Sequence, residues 1–116
     1  FPGFFTRTTG LGVSAQAANA ADVAAIYRAA RSLGLPGATL VVVPPPAATA
    51  LERGEVDAAV EGALASARAA GISGAAVTPY LLAAVDRATG GRSLAANLDL
   101  LESNARVAAE IATALS

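Results

Sequence analysis

The run Thr39-Leu40-Val41-Val42-Val43, closed at once by Pro44-Pro45-Pro46, sets the tightest limit on what this chain can fold into. A continuous apolar, β-branched segment is the mark of a strand covered on both faces of its sheet, since a half-wet strand would alternate. Three successive prolines carry no amide donors, so the backbone leaves the sheet there as a rigid, extended loop. One other segment, Val13 to Gln16, reads as a short edge strand. About three strands with a covered face are needed for a stable sheet. Val41 to Val43 are therefore expected to pair with strands outside these 116 residues or with another copy of the chain. Phe1-Pro2-Gly3-Phe4-Phe5 has neither an initiator nor the basic start and cleavage pattern of a secretion signal, and reads as a piece of a longer polypeptide.

The remaining pattern is helical. Asn19 offers an N-cap with Asp22 three residues on, and Val23, Ile26, Tyr27, Ala30 and Leu33 form a stripe that ends at Gly34. A second helical block is expected from about Ala47 to Ala70, interrupted at Gly54, with Val56, Ala59, Val60, Ala63, Leu64 and Ala67 inward, and Gly71 ends it. Thr78 reads as the cap of a third helix with Pro79 at its first position, where a missing N–H costs nothing, and Leu81, Leu82 and Val85 are its buried side. Gly90-Gly91 breaks that helix, and Ser93 is placed to cap a long last helix to Ala114.

Composition excludes several chemistries. Alanine exceeds a quarter of the residues and aromatics are only 4%, so the core must be built from small aliphatic side chains in closely packed helices. There is no Cys or His, and all eight basic residues are arginine. A typical zinc site, a thiol nucleophile, a Ser-His pair and a lysine Schiff base are all beyond these residues. The nine carboxylates, among them Glu55, Asp86, Asp99 and Glu110, mostly fall on outer helix faces and read as solvating charges. A net charge of −1 with scattered arginines gives no basic stripe for polymeric nucleic acid. Ala29 to Leu51 contains Arg31 and four prolines and cannot span a membrane, and no disulfide is possible, so a soluble, cytoplasmic protein is expected.

Two amides stand out in the last helix. At 100° per residue, Asn97 and Asn104 lie within about 20° of each other, on the stripe that also carries Leu94, Leu101, Ala108 and Ile111. That stripe is expected to face inward. Each amide has two donors and two acceptor lone pairs, and hiding them unpaired costs roughly 1 to 3 kcal/mol apiece. Either loop carbonyls or a buried water meet them, or one of them reads a polar ligand.

The order Phe1-Pro2-Gly3-Phe4-Phe5-Thr6-Arg7-Thr8-Thr9-Gly10, Leu33-Gly34-Leu35, Pro44-Pro45-Pro46, Val77-Thr78-Pro79-Tyr80-Leu81-Leu82, Gly90-Gly91-Arg92-Ser93-Leu94, then Asn97 and Ser103-Asn104-Ala105-Arg106 resembles the pseudouridine-5′-phosphate glycosidases, a family that includes the indigoidine synthase A proteins. Each motif alone is weak, but five in register are specific. The resemblance covers essentially the whole chain and only the carboxy-terminal third or so of the family's usual length. It implies an α/β fold in which residues 1–116 are the carboxy-terminal part of one three-layer α/β/α sandwich with a mixed sheet, this part mostly helical with one buried strand. It also implies a homotrimer and a divalent metal, usually manganese (Mn2+), with its ligands outside these residues.

The implied reaction is reversible cleavage of the C–C glycosidic bond of pseudouridine 5′-phosphate to uracil and ribose 5-phosphate, of pseudouridylate synthase type. In the family a lysine opens the sugar at C1′ as a Schiff base and a glutamate donates a proton; both precede the segment represented here. By resemblance Asn104 contacts the nucleobase, and Asn97 orients the same pocket. Arg7 either pairs with a phosphate or makes a structural salt bridge to a neighbouring strand. One departure from the family pattern is Val43, where an asparagine is expected before the proline loop. No catalytic residue and no metal ligand is expected within the chain, which alone is expected to be inactive. A non-catalytic helical interaction module and a regulatory nucleobase-binding subunit remain as alternatives.

Overall fold

The computed structural model describes all residues, 1–116. Four α-helices account for the regular structure: α1 (Ala20–Ser32), α2 (Arg53–Ala69), α3 (Val77–Ala88) and α4 (Arg92–Leu115), with a 3₁₀ turn, Gly74–Ala76, leading into α3. Asn19 caps α1 as its position demands, its side chain accepting from the Asp22 N–H at 3.0 Å while the Asp22 carboxylate accepts from the Ala18 N–H. The helix closes with the Leu35 N–H on the Ala30 carbonyl and the Gly34 N–H on that of Arg31, an arrangement that needs Gly34 at φ 66°. The second helix ends in the same way at Gly71.

Three starts differ from expectation. Helix α2 begins at Arg53 rather than Ala47, because Ala47–Thr49 turn on the Pro46 carbonyl, leaving Gly54 in the first turn. Helix α3 begins one residue before Thr78, carried in by the 3₁₀ turn, so Pro79 is the third residue and no side chain caps the end. Helix α4 starts at Arg92 after Gly91, which puts Ser93 inside the first turn; its caps are borrowed from α3, as described below.

The chain contains no β-strand. Thr39 to Val43 and Val13 to Gln16 are irregular, and no main-chain group from Ala38 to Val43 bonds to another main-chain group. The reason is a shortage of partners: neither segment meets a second strand, so a ladder has nothing to pair with. Leu40 is 81% exposed, whereas Val42 and Val43 are half-buried.

Helix α2 lies on α3, α1 lies only on α4, and a weaker α3–α4 contact joins the two pairs. The core is small and central: Phe5, Leu51, Ala63, Val85 and Ala96, with Val56, Ala59, Val60, Leu81 and Ala84 packed around it. The inward face read for α2 is the one observed, whereas on α1 Ile26, Tyr27 and Leu33 stay exposed and only Ala24 is buried. The amino-terminal segment is sewn to the body by hydrogen bonds to main-chain carbonyls. The Leu51 N–H donates to the Phe5 carbonyl at 2.8 Å, Arg7 Nη1 to the Pro45 carbonyl at 2.7 Å, and Arg53 Nη1 to the Thr9 carbonyl at 2.9 Å. Gly3 is confined by this knot: a Cβ there would collide with Thr6 Oγ1.

Only 12 of the 116 residues are buried. The accessible surface is 7510 Å² for 11.3 kDa, where a compact monomer of that mass shows about 5,700 Å². The radius of gyration, 17.2 Å, likewise exceeds the roughly 13 Å of a globule of this length. No helix is long and apolar enough to cross a membrane. With so little apolar area withdrawn from water, the isolated 116-residue chain is expected to be helical by circular dichroism, to bind a hydrophobic dye and to melt broadly. A sharp, dye-free thermal transition of a monomer would overturn this reading of its packing.

Candidate functional site

The elbow between α3 and α4 is the most densely bonded part of the molecule. Thr89 is buried, and its hydroxyl donates to the Val85 carbonyl at 2.9 Å while accepting from the Ser93 N–H at 3.2 Å. Asp86 Oδ1 accepts from Ser93 Oγ and from the Leu94 N–H, both at 3.2 Å. A carboxylate at the amino end of a helix satisfies unpaired N–H groups and faces the positive end of the helix dipole. Asp86 is therefore half-buried and structural, not one of the outer solvating charges that its sequence position suggested. Arg92 adds a tie to Glu55 on α2 and donates from Nε to the Thr89 carbonyl at 3.1 Å.

This elbow sets the roll of α4. Ser93, Ala96 and Leu100 are buried, and Ser103, Val107 and Ile111 are half-buried along the same line. The expected inward stripe through Leu94, Leu101 and Ala108 is turned outward instead: Leu94 is 54% and Leu101 57% exposed. Small side chains at Ser93 and Ala96 let α4 approach α3, and the caps pull Ser93 inward, which fixes the helix about one residue away from its oiliest register. Asn97 and Asn104 consequently lie on the shoulder of the buried face, about 50–75° from its centre. Asn97 is half-buried, Asn104 exposed, and neither amide bonds to another group of the chain.

Each amide opens onto a different hollow. The larger, of about 520 Å³, lies between Phe1–Phe4, Val41–Val43 and the α4 residues Leu100, Asn104, Val107, Ala108 and Ile111, and Asn104 is its one polar side chain. The smaller, of about 240 Å³, is lined by Phe4, Phe5, Leu82, Ala83, Asp86, Ser93, Leu94 and Asn97. Phe4 borders both. Arg7 lines neither; its bond to Pro45 holds the amino-terminal knot against the proline loop, and no carboxylate pairs with it. Phe4 escaped the sequence reading because an aromatic in an irregular segment carries no periodicity, and Asp86 because its partners lie across a turn.

No three carboxylates gather closely enough to hold a metal ion. The residues present do not by themselves form a manganese site. Replacing Asp86 with alanine is expected to fray the first turn of α4: amide exchange at Leu94 should accelerate by roughly tenfold, with exchange in α2 unchanged. Equal protection in the variant would show that Asp86 does not hold the turn.

Known proteins match the chain along its whole length. The family described as indigoidine synthase A like protein matches residues 1–114. Pseudouridine-5′-phosphate glycosidases of Gemmatimonas aurantiaca and Chloroflexus aurantiacus are 53% and 48% identical over 98% and 100% of the chain. That of Symbiobacterium thermophilum is 45% identical over 99%. The chain spans only 37 to 39% of the length of these relatives. Among solved structures, the prealnumycin C-glycosynthase AlnA in complex with ribulose 5-phosphate superposes with a TM-score of 0.83 at 35% identity, over 96% of this chain and 36% of that one. The chain thus belongs to the indigoidine synthase A like family.

Proposed function

We propose that these residues supply part of the nucleobase side of a pseudouridine-5′-phosphate glycosidase, which reversibly cleaves the C–C glycosidic bond of pseudouridine 5′-phosphate to uracil and ribose 5-phosphate. One observation carries the assignment to a site: the Asn104 amide, unbonded within the chain, opens on a hollow that is otherwise apolar. An amide presents a donor and an acceptor side by side, which matches an N–H flanked by a carbonyl on the edge of uracil. Asn97, facing the adjoining hollow from the same side of α4, supports that wall. Arg7 spends one of its five N–H donors on Pro45 and keeps the others for a phosphate.

The sugar chemistry requires an amine that attacks C1′, and these residues offer none. Arginine stays protonated and is not a nucleophile, so the amine comes from elsewhere in the enzyme. The same holds for the sheet. Thr39 to Val43, with every main-chain group unpaired, joins strands from outside these residues to build the α/β/α sandwich, in an enzyme taken to be a cytoplasmic homotrimer that uses manganese.

The 116-residue chain incubated with pseudouridine 5′-phosphate and manganese is expected to release no uracil above background. A full-length hybrid, with these residues replacing the matching part of the Gemmatimonas aurantiaca relative, is expected to turn over. In the hybrid, Asn104→Ala should lower kcat/KM by about 10- to 100-fold with the melting temperature preserved. Turnover by the 116 residues alone would refute the split of chemistry between segments, and an unchanged kcat/KM would remove Asn104 from the site.

A further inference from the structure

We infer that Phe4 is the aromatic platform on which the planar base stacks, the base being held between the Phe4 ring and the Asn104 amide; this rests on the nucleobase reading above. Three observations support it. Phe4 is 54% exposed although it sits beside one of the few buried residues, Phe5 at 7%. The two rings meet edge to face, with centroids 4.6 Å apart and planes at 86°, so at least one face of the Phe4 ring is left open by Phe5. Its backbone is held on both sides, by the Gly3 N–H on the Thr6 carbonyl at 2.9 Å and the Leu51 N–H on the Phe5 carbonyl at 2.8 Å. A large apolar ring fixed in place while half exposed loses little freedom when a ligand settles on it, whereas a loop that must first be ordered loses much.

The surroundings select the kind of ligand. Phe4 and Asn104 line the same hollow, and every other side chain there is apolar. An amide and an aromatic ring lining one hollow suit a flat, hydrogen-bonding heterocycle better than an aliphatic chain, which would leave the amide unpaired, or a phosphate, for which no arginine lines the hollow. In the adjoining hollow the carboxylate of Asp86 disfavours a phosphate too. Phe4 thus borders both hollows, and in the larger one it shares the lining with Asn104.

Stacking depends on flatness and π-electrons, while hydrogen bonding at the imide edge does not. Uracil and 5,6-dihydrouracil share that edge and differ in ring saturation, so their inhibition constants in the full-length hybrid separate the two contributions. The unsubstituted hybrid is expected to prefer uracil by about fivefold or more. Phe4→Leu should bring the ratio close to one, Phe4→Tyr should retain it, and Asn104→Ala should weaken both ligands and leave the ratio in place. A ratio taken on one preparation does not depend on how much of it is folded, so partial destabilisation by Phe4→Leu does not obscure the result. If uracil inhibits but the ratio is the same in Phe4→Leu, the platform is wrong and the nucleobase reading stands; if uracil does not inhibit the active hybrid at all, both fall.

Discussion

The fold hangs on the burial of Phe5. Its ring is the one aromatic in the central cluster, in company with Leu51, Ala63 of α2, Val85 of α3 and Ala96 of α4. Its carbonyl receives the Leu51 amide, so the amino-terminal segment, the stretch before α2 and three helices are fastened at a single residue. Full burial of a side chain of this size is worth about 2 to 3 kcal/mol, and nothing else here has comparable reach. The alanines around it contribute closeness rather than area: Ala63, Ala67 and Ala96 are almost wholly covered, yet each withdraws little surface from water. Helix α1 has no share in this centre and rests on α4 alone.

So small a core leaves much of the surface uncovered. The molecule exposes about 1,800 Å² more surface than a compact chain of its mass, on the scale of what one protein contributes to a large stable interface. Part of the exposed surface is apolar. Leu11, Ile26, Leu33, Leu40, Leu94, Leu98 and Leu101 are among the exposed large apolar side chains, and several of them flank the unpaired valine ribbon or lie on the outer face of α4. Apolar surface of this extent on a monomer marks places made to be covered.

How much of this was legible in the sequence depended on whether the decisive contact was local. The Asn19 and Asp22 cap, the Gly34 and Gly71 stops and the inward face of α2 are set by residues within a turn of one another, and all read correctly from spacing. The roll of α4 did not, because it is set by Thr89 and Asp86, which belong to the preceding helix and reach it across Gly90-Gly91. Hydrophobicity alone chose the leucine side; hydrogen bonds and close approach chose the serine and alanine side. The valine run reads as a strand on any scale, but a strand is a relation between two segments, and among these residues no second one pairs with it. The hollows depend on Phe4, an irregular-segment aromatic that no periodicity flags, whereas Asn104 was visible as an amide among aliphatics.

The arginines lead to a last consequence. Guanidinium groups of Arg7, Arg28, Arg31, Arg53 and Arg92 each close a turn or fasten a segment by donating to a main-chain carbonyl, and only three ion pairs exist in the whole chain. A charge facing a neutral dipole is weakened less by dissolved ions than two opposite charges are. Apart from the Arg92–Glu55 pair, the tertiary tethers of this protein are for that reason insulated from ionic strength, and its loops should keep their places in brines where a scaffold laced together by carboxylates and ammonium groups would loosen.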